Sequence, residues 1–134
     1  MDIREISAEE TWELRQSVMW PDKNIDYVKL KEDRTGKHYG LFLGDMLVSV
    51  ISIFEKNKEV QFRKFATLIE LQGRGCGTLL LNYVLEQVVN WGVKKIWCNA
   101  RKNKVNFYEG FGFDAIEDAE TKDGIEYVKM IRNL

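Results

Sequence analysis

The sequence predicts an α/β domain in which helices flank one mixed sheet. Three observations carry that expectation. Runs rich in β-branched and aromatic residues alternate with a segment of clear helical periodicity, in the order β, α, loop, three strands, α, β, α and two strands. No repeat, low-complexity tract or linker divides the chain, so residues 1–134 read as one domain. Apolar residues make up 45% and charged residues 31%, a globular composition that excludes intrinsic disorder, collagen-like repeats and a disulfide-dense miniprotein.

Each element has its own signal. Asp2 to Ile6 alternates polar and apolar residues, and Ser7 with Glu9 and Glu10 marks the start of a helix that Pro21 ends. From Asp22 to Lys37 the chain is polar and reads as a loop with a helical turn near Tyr27 to Leu30. His38 to Leu43 and Met46 to Phe54, joined by Gly44-Asp45, read as a hairpin, and a further strand runs from about Val60 to Leu68. Between Thr78 and Trp91, apolar residues at Leu80, Leu81, Val84, Leu85 and Val88 line one helical face, closed by Gly92. Val93 to Asn99 is a strand, Lys104 to Glu109 a short helix, and the last two strands are Phe113 to Glu117 and Ile125 to Ile131, around the turn at Lys122-Asp123-Gly124.

Composition also narrows the function. With 20 Lys+Arg against 21 Asp+Glu, the chain lacks the dense cationic stripe that nucleic acid requires. Two cysteines, Cys76 and Cys98, and one histidine, His38, are too few for a zinc site, so no metal is expected. The longest apolar runs, such as Leu47 to Phe54, fall far short of the roughly 20 residues of a membrane helix. The opening MDIREIS has no apolar signal core, so a cytoplasmic protein without a membrane partner is expected, acting on a small molecule.

The chemistry concentrates at Gln72-Gly73-Arg74-Gly75-Cys76-Gly77. A strand that runs into a glycine-rich turn and then a helix presents free backbone amides at the positive end of the helix dipole, where phosphates bind. No Lys-Ser/Thr follows the last glycine, and the spacing is not that of a dinucleotide fingerprint. Alone, the segment is equally well a tight structural turn. A second motif, Phe107-Tyr108-Glu109-Gly110-Phe111-Gly112-Phe113, follows the next strand.

Gln72-x-x-Gly75-x-Gly77, then a helix, a strand and Phe107-Tyr108-x-x-x-Gly112-Phe113, resembles the GNAT superfamily of acetyl-CoA-dependent N-acyltransferases. The resemblance is strongest from Gln61 to Phe113. It implies a mostly antiparallel central sheet flanked by helices and acetyl-CoA as acyl donor. It also implies that Phe65, Ala66 and Thr67 offer backbone groups to the pantetheine arm. Gly73, Arg74, Gly75, Cys76, Gly77 and Thr78 would cradle the pyrophosphate. Tyr108 would give a proton to the departing thiolate, since a phenol with a pKa of ~10 lies near an alkyl thiol. Arg101 stands where many members carry asparagine, Lys104 where a small residue is common, and Asn103 lies nearby at a different offset.

The acceptor, a small-molecule or peptide amine, must lose a proton before it attacks. Glu70 is the catalytic candidate for that step, with Glu55 and His38 behind it; His38 has the side chain whose ordinary pKa suits a base, yet a lone strand histidine is commonly structural. Cys98 and Cys76 are covalent alternatives that read better as small hydrophobes. Trp12, Arg15, Trp20, Asp22, Tyr27 and Arg34, with the final hairpin, are expected to form the acceptor site, although the arginines read equally well as solvated and Trp12 as core. A bulky residue at Gly75 is expected to crowd the phosphate path. A non-catalytic acyl-CoA-binding or regulatory module, and a partner-binding domain, are the other readings. An exposed edge at the last hairpin would let two chains pair as a homodimer.

Overall fold

The computed structural model describes all 134 residues. Strand β1 (Asp2–Ile6) leads into helix α1 (Ala8–Leu14), whose start is a capping box: the Glu10 N–H donates to Ser7 Oγ at 3.3 Å and the Ser7 N–H to Glu10 Oε1 at 3.0 Å. The helix continues as a wider turn over Arg15–Met19 and stops at Trp20, before Pro21. The helical turn expected near Tyr27 to Leu30 is a 3-10 turn at Ile25–Val28.

Strands β2 (Lys37–Leu43) and β3 (Met46–Lys56) form the expected hairpin, and β4 (Glu59–Thr67) follows. Helix α2 (Cys76–Asn90) starts two residues earlier than its apolar stripe suggested, because Gly75, with φ +88°, serves as its N-cap. Its buried face is Leu80, Leu81, Val84, Leu85 and Val88, each 6% exposed or less. Each such side chain contributes about 1.5–3 kcal/mol. Gly92, at φ +74°, turns the chain out of α2 as expected.

Strand β5 (Lys95–Arg101) lies two residues later than read from sequence. Gly92 and Val93 are spent on the exit from α2, and the buried alternation Ile96, Cys98, Ala100 sets the register. After α3 (Val105–Glu109), the strand expected at Phe113 to Glu117 shrinks to β6 (Asp114–Ala115). A separate β7 (Glu120–Lys122) pairs further along the same nine-residue β8 (Ile125–Asn133). The chain between β6 and β7 leaves the sheet, which places Glu117 and Asp118 on a cavity wall.

All eight strands join one sheet in the order β1-β2-β3-β4-β5-β8-β6, with β7 also on β8. Every neighbouring pair is antiparallel except β4 and β5. The main core lies between the sheet and α2, and a smaller one of Leu14, Val50 and Ala66 lies under α1. No helix is long and apolar enough to cross a membrane.

Candidate functional site

The site is a consequence of one broken strand pair. Strands β4 and β5 pair only over Glu59–Gln61 and Lys95–Trp97, yet β4 runs on to Thr67 and β5 to Arg101. A β-bulge drives them apart. Val50 opposes Ala66 and Ser52 opposes Arg63, so two residues, Lys64 and Phe65, face the single Ile51. Lys64 sits in the left-handed region at φ +54°, which costs a residue with a Cβ about 1–2 kcal/mol. The bulge also reverses the strand's faces: Phe62 and Phe65 both pack toward α2, while Ala66 packs toward α1.

Beyond the bulge, the wedge between the strands carries unpaired backbone. The Leu68 N–H donates to Val48 O on the β3 side at 2.9 Å, so the Thr67 N–H, one residue earlier, points into the wedge. Gln72 Nε2 donates to Thr67 O at 3.0 Å and ties the glycine loop to the strand end. No side chain caps α2, so the first helical amides, Cys76, Gly77 and Thr78, remain free beside the loop.

These groups line a cleft of about 640 Å³ that includes Phe65, Ala66, Thr67, Gly73, Gly75, Gly77, Thr78, Arg101 and Tyr108, together with Asn103 and Lys104. A Cβ at Gly73 or Gly75 would meet nothing within 4 Å, whereas one at Gly77 would meet the Phe65 ring at 3.2 Å. No protein atom stands in the way of a side chain at Gly75, so within the chain itself the objection to one is the positive φ. Arg74, exposed on the loop, and Cys76, buried against Leu41 and Val48, were both expected at the site and are not among the residues that line the cleft.

Tyr108 on α3 packs against Phe62, Phe107 and Phe113, with ring centroids 5.6, 5.2 and 6.0 Å away. Burial, with a smaller contribution from Cys98, pushes its phenol well above the ordinary value. The phenol is held firmly in its proton-bearing form. Burial pushes the Cys98 thiol up to about 12, the opposite of what a nucleophile requires. The guanidinium of Arg101 lies 5.9 Å from the Trp20 ring, and its buried Nη2 has no hydrogen-bond partner, which suits an anionic or carbonyl group arriving in the cleft.

A second cavity, of about 440 Å³, opens on the other side of the wedge. Trp20, Tyr27 and the final hairpin line it, as expected from sequence, through Glu120, Lys122, Asp123 and Tyr127. Tyr27 Oη donates to Asp123 Oδ2 at 2.7 Å, which raises the phenol's pKa and closes one wall. The two cavities meet at Met19, Phe62, Arg63, Lys64, Asn99 and Tyr127.

Other expected residues lie elsewhere. Glu70, on an exposed 3-10 turn at Ile69–Leu71, lines neither cavity; Asp22, Arg34 and Glu55 are likewise exposed and outside both. Arg15 is neither a ligand group nor solvated. It is fully buried, donating to Asp33 Oδ1 and Oδ2 at 2.9 Å each, to Val28 O at 3.0 Å and to Ser52 Oγ at 2.8 Å. Ser52 then donates to His38 Nδ1 at 2.6 Å, and His38 Nε2–H donates to Asp33 O at 2.8 Å. This network assigns His38 its tautomer and a structural place. Half-buried Trp12 joins it through Nε1–H to Asp33 Oδ2 at 3.1 Å.

Lys64 is the residue that sequence reasoning missed. Its signal was the spacing Phe62-Arg63-Lys64-Phe65, in which apolar residues fall three apart within an alternating strand and so mark a bulge.

Residues 8–134 match the family model described as an acetyltransferase (GNAT) domain. The chain is 26% identical over 144 residues to the uncharacterized N-acetyltransferase YitI of Bacillus subtilis (strain 168), covering 100% of this chain and 97% of that one. In fold, it resembles an acyl-CoA N-acyltransferase from Pseudomonas aeruginosa, with a TM-score of 0.80 at 18% identity over 98% of each chain. It also resembles a Bacillus subtilis acetyltransferase crystallised with CoA, with a TM-score of 0.74 at 19% identity over 99% and 97% of the chains. A splayed strand pair with a glycine loop at its mouth, and a sequence that satisfies the family model almost end to end, make this chain a member of the GNAT acetyltransferase family.

Proposed function

We propose that this chain transfers an acetyl group from acetyl-CoA to a primary amine, by direct attack while both substrates are bound. The observation that carries this reading is the meeting of two cavities at one bulged strand. The larger fits the donor. Its glycine loop and free α2 amides suit a pyrophosphate, and its unpaired strand edges suit the amides of a pantetheine arm, much as an added strand would pair.

In this reading Gly73 to Thr78 hold the pyrophosphate through main-chain amides, with Arg74 and Lys104 adding positive charge. Phe65, Ala66 and Thr67 bind the arm, and the Thr67 N–H faces the charge that grows on the carbonyl oxygen as the amine attacks. Tyr108 supplies the proton that the departing sulfur takes. Its raised pKa keeps that proton in place at neutral pH, so transfer follows once a thiolate, desolvated in the same cleft, has formed beside it. Glu70 is too far toward solvent to be given the base role.

Isothermal titration with acetyl-CoA tests the donor site. Micromolar binding that weakens for pantetheine analogues lacking the phosphates supports the assignment; absence of heat and of competition by coenzyme A, in a folded sample, overturns it. Thiol release across a panel of amines then separates an enzyme from a module that only binds the coenzyme.

A further inference from the structure

The two cavities share one primary amine that belongs to the chain itself. Lysines 122 and 129 line only the smaller cavity and Lys104 only the larger, whereas Lys64 lines both. The bulge and its positive φ turn this residue out of the sheet's regular alternation at the point where the strands separate. The six ion pairs of the chain engage Arg4, Arg15, Lys29, Arg63, Lys102 and Lys129, and none engages Lys64.

The groups around it do not neutralise it. Arg63 on its own strand, Arg15 on the turn after α1, Lys122 on β7 and Arg101 on β5 are all cationic. On the far walls, Asp123 is engaged by Tyr27 and Glu117 by Lys129, while Asp118 and Glu120 are exposed on the rim. Tyr127, which lines both cavities, and Tyr108, Cys98 and Lys104, which line the larger, are further titratable groups of the walls, and none of them is an acid that pairs with Lys64. Burial, reinforced by those four cations, brings Lys64 down to about 8. About a tenth of it is then neutral at pH 7, against fewer than about one in a thousand for an ordinary lysine.

Given the donor assignment proposed above, on which this rests, we infer that Lys64 is a resident acceptor: with acetyl-CoA bound and no amine in the smaller cavity, the chain acetylates its own Nζ. The neutral Nζ attacks the thioester carbonyl, a C–N bond forms and the C–S bond breaks. The sulfur leaves as thiolate and receives one proton, and the nitrogen loses one, so the products are acetyl-lysine and coenzyme A thiol. No oxidant or further reactant is needed. The acetyl-lysine occupies the acceptor's place, which limits the reaction to one group per chain and makes it a brake on transfer to other amines.

The test incubates the full chain with acetyl-CoA and no added amine, follows intact mass and maps the modified peptide, with titration calorimetry on the same sample. Expected is one acetyl group at Lys64, gained at a rate independent of protein concentration and suppressed by excess coenzyme A. The rate should rise with pH to a plateau above a midpoint near pH 8. It should exceed that of exposed Lys31 and Lys94 by at least about 100-fold, since the bound thioester is held beside one amine only. Lys64→Arg, or Lys64→Gln if the first does not fold, should lose the modification. Tight binding of acetyl-CoA with Lys64 modified no faster than Lys31 would overturn the self-acetylation. Absence of binding would overturn the donor assignment, and this inference with it.

Discussion

Arg15 and Lys64 are two cations withdrawn from water on adjoining elements, and the chain treats them in opposite ways. Arg15 is completely buried, and both its terminal nitrogens are saturated by Asp33, a backbone carbonyl and a serine. Lys64 is only partly buried, has no ion-pair partner and is surrounded by its own kind of charge. Nε alone of Arg15 is buried without a hydrogen bond; a buried charge whose counterion is supplied from within still holds a fold together, because removing one partner strands the other. A desolvated charge left without partners does nothing for the fold. Its place at the mouth of two cavities gives it to a ligand or to chemistry.

The largest expected effect breaks the first half of that contrast. Asp33→Asn leaves Arg15 buried without its counterion and should lower the free energy of unfolding by about 3–5 kcal/mol. Lys64→Met, measured in the same urea titrations, should stay within about 1 kcal/mol of the parent chain. Comparable losses for the two variants would remove the distinction between them.

Next in size is Tyr108→Phe. It should reduce thiol release by about 100-fold while acetyl-CoA binding and stability hold, because the ring packing is kept and only the proton is lost. An unchanged turnover number would end the proton-donor assignment. Gly75→Val forces a β-branched residue into φ +88°. It should cost about 1–2 kcal/mol of stability and weaken coenzyme binding, as the α2 amides lose their alignment. Calorimetry on the folded fraction reads both.

The smallest effects appear in the pH profile of stability. Asp33 is pushed up by its burial, but hydrogen bonds from Arg15, the Leu30 N–H and Trp12 outweigh that and hold its pKa below the usual 3.8. Its contribution is therefore present above that value and lost as pH falls through the lower, folded one. At the other end, burial raises Tyr39 and Cys98 to about 12 each. Raised acids favour the folded state while protonated. Their contribution is complete below the ordinary values, about 9–10, and is lost as pH climbs to about 12. Thermal unfolding midpoints should fall at both margins, and a flat alkaline limb would contradict the burial of these groups.

Much of the larger cavity was legible in the residues. A glycine-rich turn between a strand and an amphipathic helix is a local arrangement, so the loop itself could be located from its residues, while the roles expected of Gly73 to Thr78 and of Tyr108 came from the resemblance to the family's motifs. The smaller cavity was legible only in part. Trp20, Tyr27 and the last hairpin reached the smaller cavity as expected. Arg15 and Arg34 did not, because one cation found a buried partner 18 residues away in sequence and the other faces solvent. Glu70 looked close to the site because it is close in sequence to the loop, yet in its 3-10 turn Ile69 and Leu71 line the larger cavity while Glu70 is exposed outside it.

By itself the sequence determined which segments become strands and helices, which face of α2 is buried and where helix amides are left free, since period, capping and glycine torsions act over a few residues. Tertiary structure alone decided that β4 and β5 part after Gln61 and Trp97, that β8 carries three partners, and that Lys64 stands where two cavities meet. Strand pairing joins residues far apart in the chain, and one extra residue in a ladder redirects every side chain after it.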